Sequence, residues 1–332
     1  MKYSEYTLAS FGDSFCFGQG ITNEADLSIH EKRLKKFPTI QERKKARLAY
    51  KKECQELAYT NKVGEKLGFK KSINCGLPGS GNKRILTLLR NFTKNNKNEK
   101  IFYIVGLSHA TRDLIMTRPE RPKKIEWEGY DFVYNSWVTN KDTIWNTRTE
   151  SQRPDIYNMP PSVLQRMLLY YRNDFTSILD HVMVYDSIVE HLESTGNPYI
   201  IFDLVNDLPW EIKRMNLTDI LRRTSWADDL LSEIPMLNFE DISGYITSHY
   251  EGLINKTNPK YLNYFTIAEY NKFLGTDIEF NDERSPSNLM SYVKLFPGKL
   301  TKSPIPDDGH WNVKGHELAA NLLVDWIRKH YE

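Results

Sequence analysis

The residues best suited to chemistry stand near the two ends of the chain. Leu8 to Gly20 reads LASFGDSFCFGQG, an apolar run that breaks at Gly12-Asp13 and puts Ser14 between an acid and an aromatic. A serine hydroxyl is a poor nucleophile until a positioned base takes its proton. At the far end, PIPDDGHWNVKGH sets Asp307 three residues before His310, in a Pro- and Gly-bearing loop that leads into a helix. That spacing lets a carboxylate reach back to one imidazole nitrogen while the other faces outward, the base and orienter that a nucleophilic serine requires. Each piece also has a plainer use. Asp-Ser is a common helix N-cap, and His310 is placed to cap the helix that follows it. His316 is a rival base, but it falls inside that helix at a position compatible with a buried stripe and is read as structural.

Such residues need a scaffold that brings them together. Short apolar runs bounded by turn residues alternate with helical patterns, the signal of a parallel sheet wrapped by helices. The candidate strands are 7–11, 71–75, 102–105 and 199–204. Helical candidates at about 46–67, 82–92 and 161–192 lie between them, and a helix from about 312 to 329 closes the chain. Leu318, Leu322, Leu323, Trp326 and Ile327 give that last helix an apolar stripe. Ser14 then stands at the carboxyl end of the first strand, where open parallel sheets place their ligands.

Bulk properties bound the function. The sequence has 332 residues, 40% of them hydrophobic, and a formal charge of +2. That is enough for one large core, and the expectation is a single domain over residues 1–332. No run of about 18 apolar residues occurs, so no membrane partner is expected. The first strand begins too early to leave room for a signal peptide. Cys16, Cys54 and Cys75 are odd in number and widely spaced, which suits a reducing, cytoplasmic setting and suggests neither a disulfide framework nor a metal site. Two segments look added to the framework. A basic helical insertion at about 22–60 carries ten Lys or Arg against two Glu within 31–52, and its helix is broken near Pro38. It reads as a charged outer face, with an anionic polymer as the alternative contact; the near-neutral total argues against a dedicated nucleic-acid binder. An aromatic-rich insertion at about 117–160 holds Trp127, Tyr130, Phe132, Tyr134, Trp137 and Trp145, enough to pack a small lobe or line a cleft.

Taken together, Gly12-Asp13-Ser14-Phe15 and Asp307-Asp308-Gly309-His310 resemble the first and last blocks of the SGNH/GDSL hydrolase family. The family's second block, an Asn followed by a glycine whose N–H serves the oxyanion, is similar to INCGLPGSGN, with Gly79 as donor. The resemblance implies a flavodoxin-like three-layer α/β/α sandwich and a Ser14, His310, Asp307 triad, with no metal or organic cofactor. The third block departs from the pattern. Where members show Gly-x-Asn-Asp, this chain has VGLSHATRD, so Gly106 is kept while Ser108 and His109 replace the Asn and Asp. Loss of an oxyanion donor costs on the order of 3 kcal/mol of transition-state stabilisation. Ser108 is the positional substitute and Asn82 the alternative, beside the N–H groups of Ser14 and Gly79. Arg112 follows on the same rim, either as a surface ion pair or, with His109, as a contact to an anionic part of a substrate.

The implied reaction is ester hydrolysis by Ser14, with short acyl groups, above all acetyl on a carbohydrate or another small polar alcohol, as the substrate class. The competing class is a binding or assembly module on the same scaffold, for instance in a virus particle. Nucleotide sites are excluded, because Gly12 to Gly20 fits neither G-x-G-x-x-G nor a P-loop.

Overall fold

The computed structural model describes residues 1–19, 21, 39–78, 80–108, 112–116, 129–133, 145–146, 174–204, 293 and 310–332. In chain order these form β1 (Thr7–Phe11), the single turn α1 (Ser14–Phe17), α2 (Ile40–Leu57), α3 (Tyr59–Leu67), β2 (Lys71–Asn74) and α4 (Asn82–Asn95). There follow β3 (Ile101–Leu107), β4 (Arg112–Met116), β5 (Gly129–Val133), β6 (Trp145–Asn146), α5 (Asp174–Thr195), β7 (Tyr199–Asp203) and α6 (Val313–Tyr331). The four strands expected from apolar runs are present as β1, β2, β3 and β7.

They pair in the order β2-β1-β3-β7, all parallel. Buried on both faces, these strands read as continuous apolar runs rather than alternating ones. Their side chains nevertheless divide by the two-residue period of a strand. Leu8, Phe102, Ile104, Ile200 and Phe202 join Tyr59, Val63 and Leu67 of α3 and Ala319, Leu323 and Ile327 of α6 in one core. Ala9, Phe11, Tyr103, Val105 and Ile201 join Ile85 and Leu89 of α4 and Val182, Ile188 and Leu192 of α5 in the other. The result is the expected three-layer α/β/α sandwich, with the strand order of a flavodoxin-like sheet. The connection from β1 to β2 passes over the first face and that from β3 to β7 over the second, so the carboxyl ends of β1 and β3 flank a topological switch point.

The helix expected at 46–67 is two helices. The chain turns extended at Ala58, with ψ of 158°, and the restart aims Tyr59 and Thr60 into the core. There Thr60 Oγ1 lies 2.6 Å from Ser10 Oγ on β1. Such a buried hydroxyl pair holds the helix start against the sheet. The basic segment is helical from Ile40, after a capping box in which Thr39 Oγ1 accepts from the Glu42 N–H and Glu42 accepts from the Thr39 N–H. Lys45, Lys51 and Lys52 of α2 are exposed, as a charged outer face requires; residues 22–38 lie outside the described part. In the aromatic segment, the described residues form an antiparallel sheet β4-β5-β6 that begins at Arg112, before the expected insertion. Its sequence signal is the alternation Tyr130-Asp131-Phe132, a period of two.

α6 is tied to α3 by His316. The ring is fully buried, stacks on Tyr59 and accepts the Tyr59 N–H at Nδ1. Burial, with Lys62 and His310 adding to it, holds its pKa down at about 3. It is thus a structural histidine, as its helical position suggested. Between about pH 6.5 and 3 the unfolded chain binds a proton at this residue that the folded chain does not. Stability is therefore complete above the unfolded value and falls as pH drops below it, by up to about 1.4 kcal/mol per pH unit. His316→Asn, which keeps an acceptor near the Nδ1 position, is expected to flatten that slope even though it lowers stability overall. Urea midpoints between pH 7 and 4.5 measure it, and an unchanged slope would assign the acid sensitivity to other groups.

Candidate functional site

Asp13 ends the run out of β1 and caps α1: its Oδ1 accepts the Phe15 N–H at 3.0 Å. The cap makes Ser14 the first helical residue. Gly18 closes the turn in the left-handed region at φ 88°, donating to Ser14 O and Phe15 O, a C-terminal role that glycine fills without strain. The serine is therefore held from both sides within one turn. The loop after β2 braces this turn from beneath. Asn74 Nδ2 donates to Cys16 O at 2.7 Å, while its Oδ1 accepts the Gly76 N–H. Leu77 N–H donates to Gly12 O at 3.1 Å. A side chain at Gly76 would press on Phe17 N and lie 2.7 Å from the Cys16 carbonyl carbon.

His310 reaches the same point from the other end of the chain. Its Nε2 lies 3.0 Å from Ser14 Oγ, within hydrogen-bond reach for proton transfer. Two neighbours set its ring. Asn312 caps α6 by accepting the Lys314 and Gly315 N–H groups, which fixes where the chain leaves the helix. Phe15 packs on the imidazole with centroids 5.1 Å apart and meets Trp311 edge-on at 5.0 Å. Phe15 follows Ser14 directly, so one turn carries both the hydroxyl and part of the wall behind the imidazole.

A second buried group of polar residues adjoins the serine turn at the switch point. Ser108, just beyond β3, donates its hydroxyl to Asp13 Oδ2 at 2.8 Å. Its backbone is clamped by Asn82, whose Oδ1 accepts the Ser108 N–H at 2.7 Å and whose Nδ2 donates to Ser108 O at 3.0 Å. The N–H acceptor fixes which amide atom is oxygen. The same Nδ2 lies 2.9 Å from His181 Nδ1 on α5. His181 Nδ1 therefore accepts, and the ring proton sits on Nε2, 3.7 Å from Asp203 Oδ1 at the end of β7. Asp13, Ser108, Asn82, His181 and Asp203 are all at most 5% exposed.

Of the residues singled out in the sequence, Ser14 and His310 are brought together. Ser108 and Asn82 meet beside them, bonded to Asp13 and to each other. Arg112 opens β4 opposite Val133, with its side chain outside the described part. Gly79, His109 and Asp307 lie outside the described residues. Burial pushes the Cys16 thiol up to about 11 and the Cys75 thiol to about 12. At neutral pH both are thiols, and neither competes with Ser14 as a nucleophile. Among the described residues no cluster of three or more His, Cys, Asp or Glu could hold a metal, and no helix is long and apolar enough to cross a membrane. The sequence reading gave no role to Phe15 or Asn74, although both stand in the quoted blocks, and it missed His181 and Asp203, which carry no local signal.

Gly76→Ala is expected to displace α1, because the new methyl group meets backbone rather than a flexible side chain tip. Overpacking of this kind costs about 1–3 kcal/mol. Thermal denaturation would register the loss. An unchanged midpoint would show that the loop does not brace the turn.

Among solved structures, the chain is similar to a protein from Desulfitobacterium hafniense DCB-2 assigned to the lipolytic G-D-S-L family, with 9% identity and a TM-score of 0.34 over 96% of this chain and 98% of that one. No protein-family model and no curated protein matches the chain.

Proposed function

We propose that the protein is a serine hydrolase that cleaves carboxylic esters. The observation that carries this reading is the 3.0 Å approach of His310 Nε2 to Ser14 Oγ, made by residues at opposite ends of the chain at the carboxyl edge of a parallel sheet. Ser14 Oγ attacks the ester carbonyl while its proton passes to His310 Nε2. The oxyanion is held by the N–H groups of Ser14 and Gly79, and the alcohol departs with the proton from His310. His310 then takes a proton from water, whose oxygen attacks the acyl carbon, and the acid leaves as Ser14 recovers its hydrogen. Asp307 orients the imidazole through Nδ1. The steps balance without a metal or an organic cofactor.

The substrate class is read from the composition of the aromatic-rich insertion. Residues 117–160 are rich in Trp and Tyr, interleaved with Lys, Asp and Asn and poor in aliphatics. Such a composition suits stacking on sugar rings rather than a long acyl chain. Short acyl esters, acetyl above all, on a carbohydrate or a comparable polar alcohol fit it best. His109 and Arg112 are the proposed contacts to an anionic group near the scissile ester.

Ser14→Ala and His310→Ala are expected to abolish hydrolysis of p-nitrophenyl acetate and fluorophosphonate labelling while leaving the circular dichroism spectrum unchanged. Asp307→Asn should be severe but incomplete, and Asp308→Asn mild. Labelling also separates a hydrolase from a pure binding module, which would not react at Ser14. In a series of p-nitrophenyl esters from acetate to palmitate the rate should be greatest at the short end. A maximum at about eight carbons or beyond would overturn the deacetylase assignment and point to a lipase or thioesterase.

A further inference from the structure

The polar residues beside Ser14 form a continuous buried chain across the sheet. Asp203 ends β7, His181 comes from α5, Asn82 opens α4, Ser108 follows β3 and Asp13 follows β1, so five elements each contribute one group. Asp203 Oδ1 approaches His181 Nε2 at 3.7 Å, beyond hydrogen-bond length, and the hydrogen-bonded links are His181 Nδ1 to Asn82 Nδ2 at 2.9 Å, Asn82 to both backbone atoms of Ser108, and Ser108 Oγ to Asp13 Oδ2 at 2.8 Å. Burying this many polar groups beside an otherwise apolar core is costly, and well-packed apolar residues commonly serve stability as well or better. What such a chain supplies is direction: each bond sets the orientation of the next group.

Its direction ends on the serine turn. With its N–H and C=O both held by one amide, Ser108 has a fixed backbone, and its hydroxyl points at Asp13. Asp13 then has one oxygen bound by Ser108 and the other by the Phe15 N–H, so its side chain is pinned at two points. Ser14 is covalently next to it, and Phe15 lies against the His310 ring. Ser14 thus takes its placement from Asp13, and Phe15 carries that placement to one wall of the His310 ring.

We propose that Asp203, His181 and Asn82 are positioning residues that act through Ser108 and Asp13 to set the geometry of Ser14. This rests on the hydrolase reading, and it gives the Ser108 hydroxyl a different use from oxyanion donation. The two uses predict different couplings. If Ser108 acted on the oxyanion independently of Asp13, losses from Ser108→Ala and Asp13→Asn would multiply. If Ser108 acts through Asp13, the double variant is no slower than the slower single variant.

The test measures kcat and KM for p-nitrophenyl acetate, and the rate of fluorophosphonate labelling, well below the melting temperature of each variant. Ser108→Ala, Asp13→Asn and His181→Phe are each expected to lower kcat about 10- to 100-fold with KM unchanged, the scale for a misplaced reacting group. Ser108→Ala combined with either of the others should give no further loss. If His181→Phe does not fold because Asp203 loses its partner, the double variant His181→Phe with Asp203→Leu removes both buried polar groups together. Amide hydrogen exchange at Phe15 reads the same geometry without a substrate, and faster exchange in Ser108→Ala and the His181 variants is expected. Multiplying losses, or Phe15 exchange equal to wild type, would overturn the positioning role. An unreactive wild-type Ser14 would instead overturn the hydrolase reading, and Phe15 exchange would still decide whether the chain sets the turn.

Discussion

Asp13 is a carboxylate with no exposure to solvent, and that constraint shapes everything around it. A buried polar side chain persists only where hydrogen-bond partners replace its water. One donor is the Phe15 N–H, which Asp13 obtains by capping α1, and that cap defines where Ser14 sits. The other is the Ser108 hydroxyl, which comes from the neighbouring strand. Through the Ser108 bond the Asp13 side chain joins the ends of β1 and β3. The switch point of the sheet, where the two chain directions diverge, is therefore bridged rather than left as an open crevice.

Around that bridge, the two sides of the site are built by different means. The serine turn is local: a cap, one helical turn, a left-handed glycine and a loop pinned by Asn74. The base is delivered by packing, through α6 lying on α3 with His316, Tyr59 and Trp311 between them. His310 owes its place to an aromatic cluster, with Phe15 as the piece shared by both sides. An aromatic wall also excludes water from one side of the imidazole, which strengthens its hydrogen bond to the serine.

The parts that could be read in the sequence are those carried by short-range pattern. β1, β2, β3 and β7 were visible because doubly buried strands are uninterrupted apolar runs ended by turn residues, and Gly-Asp-Ser and Asp-x-x-His marked the places where chemistry sits. The split at Ala58 was hidden because both halves have helical composition; what divides them is the demand that Thr60 reach Ser10 on another element. Asn82 and Ser108 were found by their places in the motifs, but their mutual bonds depend on how α4 meets β3. His181 and Asp203 carry no local signal at all, since a histidine in a helix and an aspartate closing a strand gain their relation only when α5 lies on the sheet. The antiparallel sheet was concealed by its richness in aromatics, which drew attention to composition and away from the alternation around Asp131.

The 296 positions between Ser14 and His310 bear on how the site comes into being. Closing so long a loop is entropically costly, and long-range contacts form late unless earlier structure has shortened the path. During synthesis β1, β3 and the residues that hold the serine turn emerge before His310. Until His310 has been made, Ser14 Oγ is without the imidazole. The Ser14–His310 contact forms only when α6 settles on α3, so the docking of that helix is the event that completes the pair.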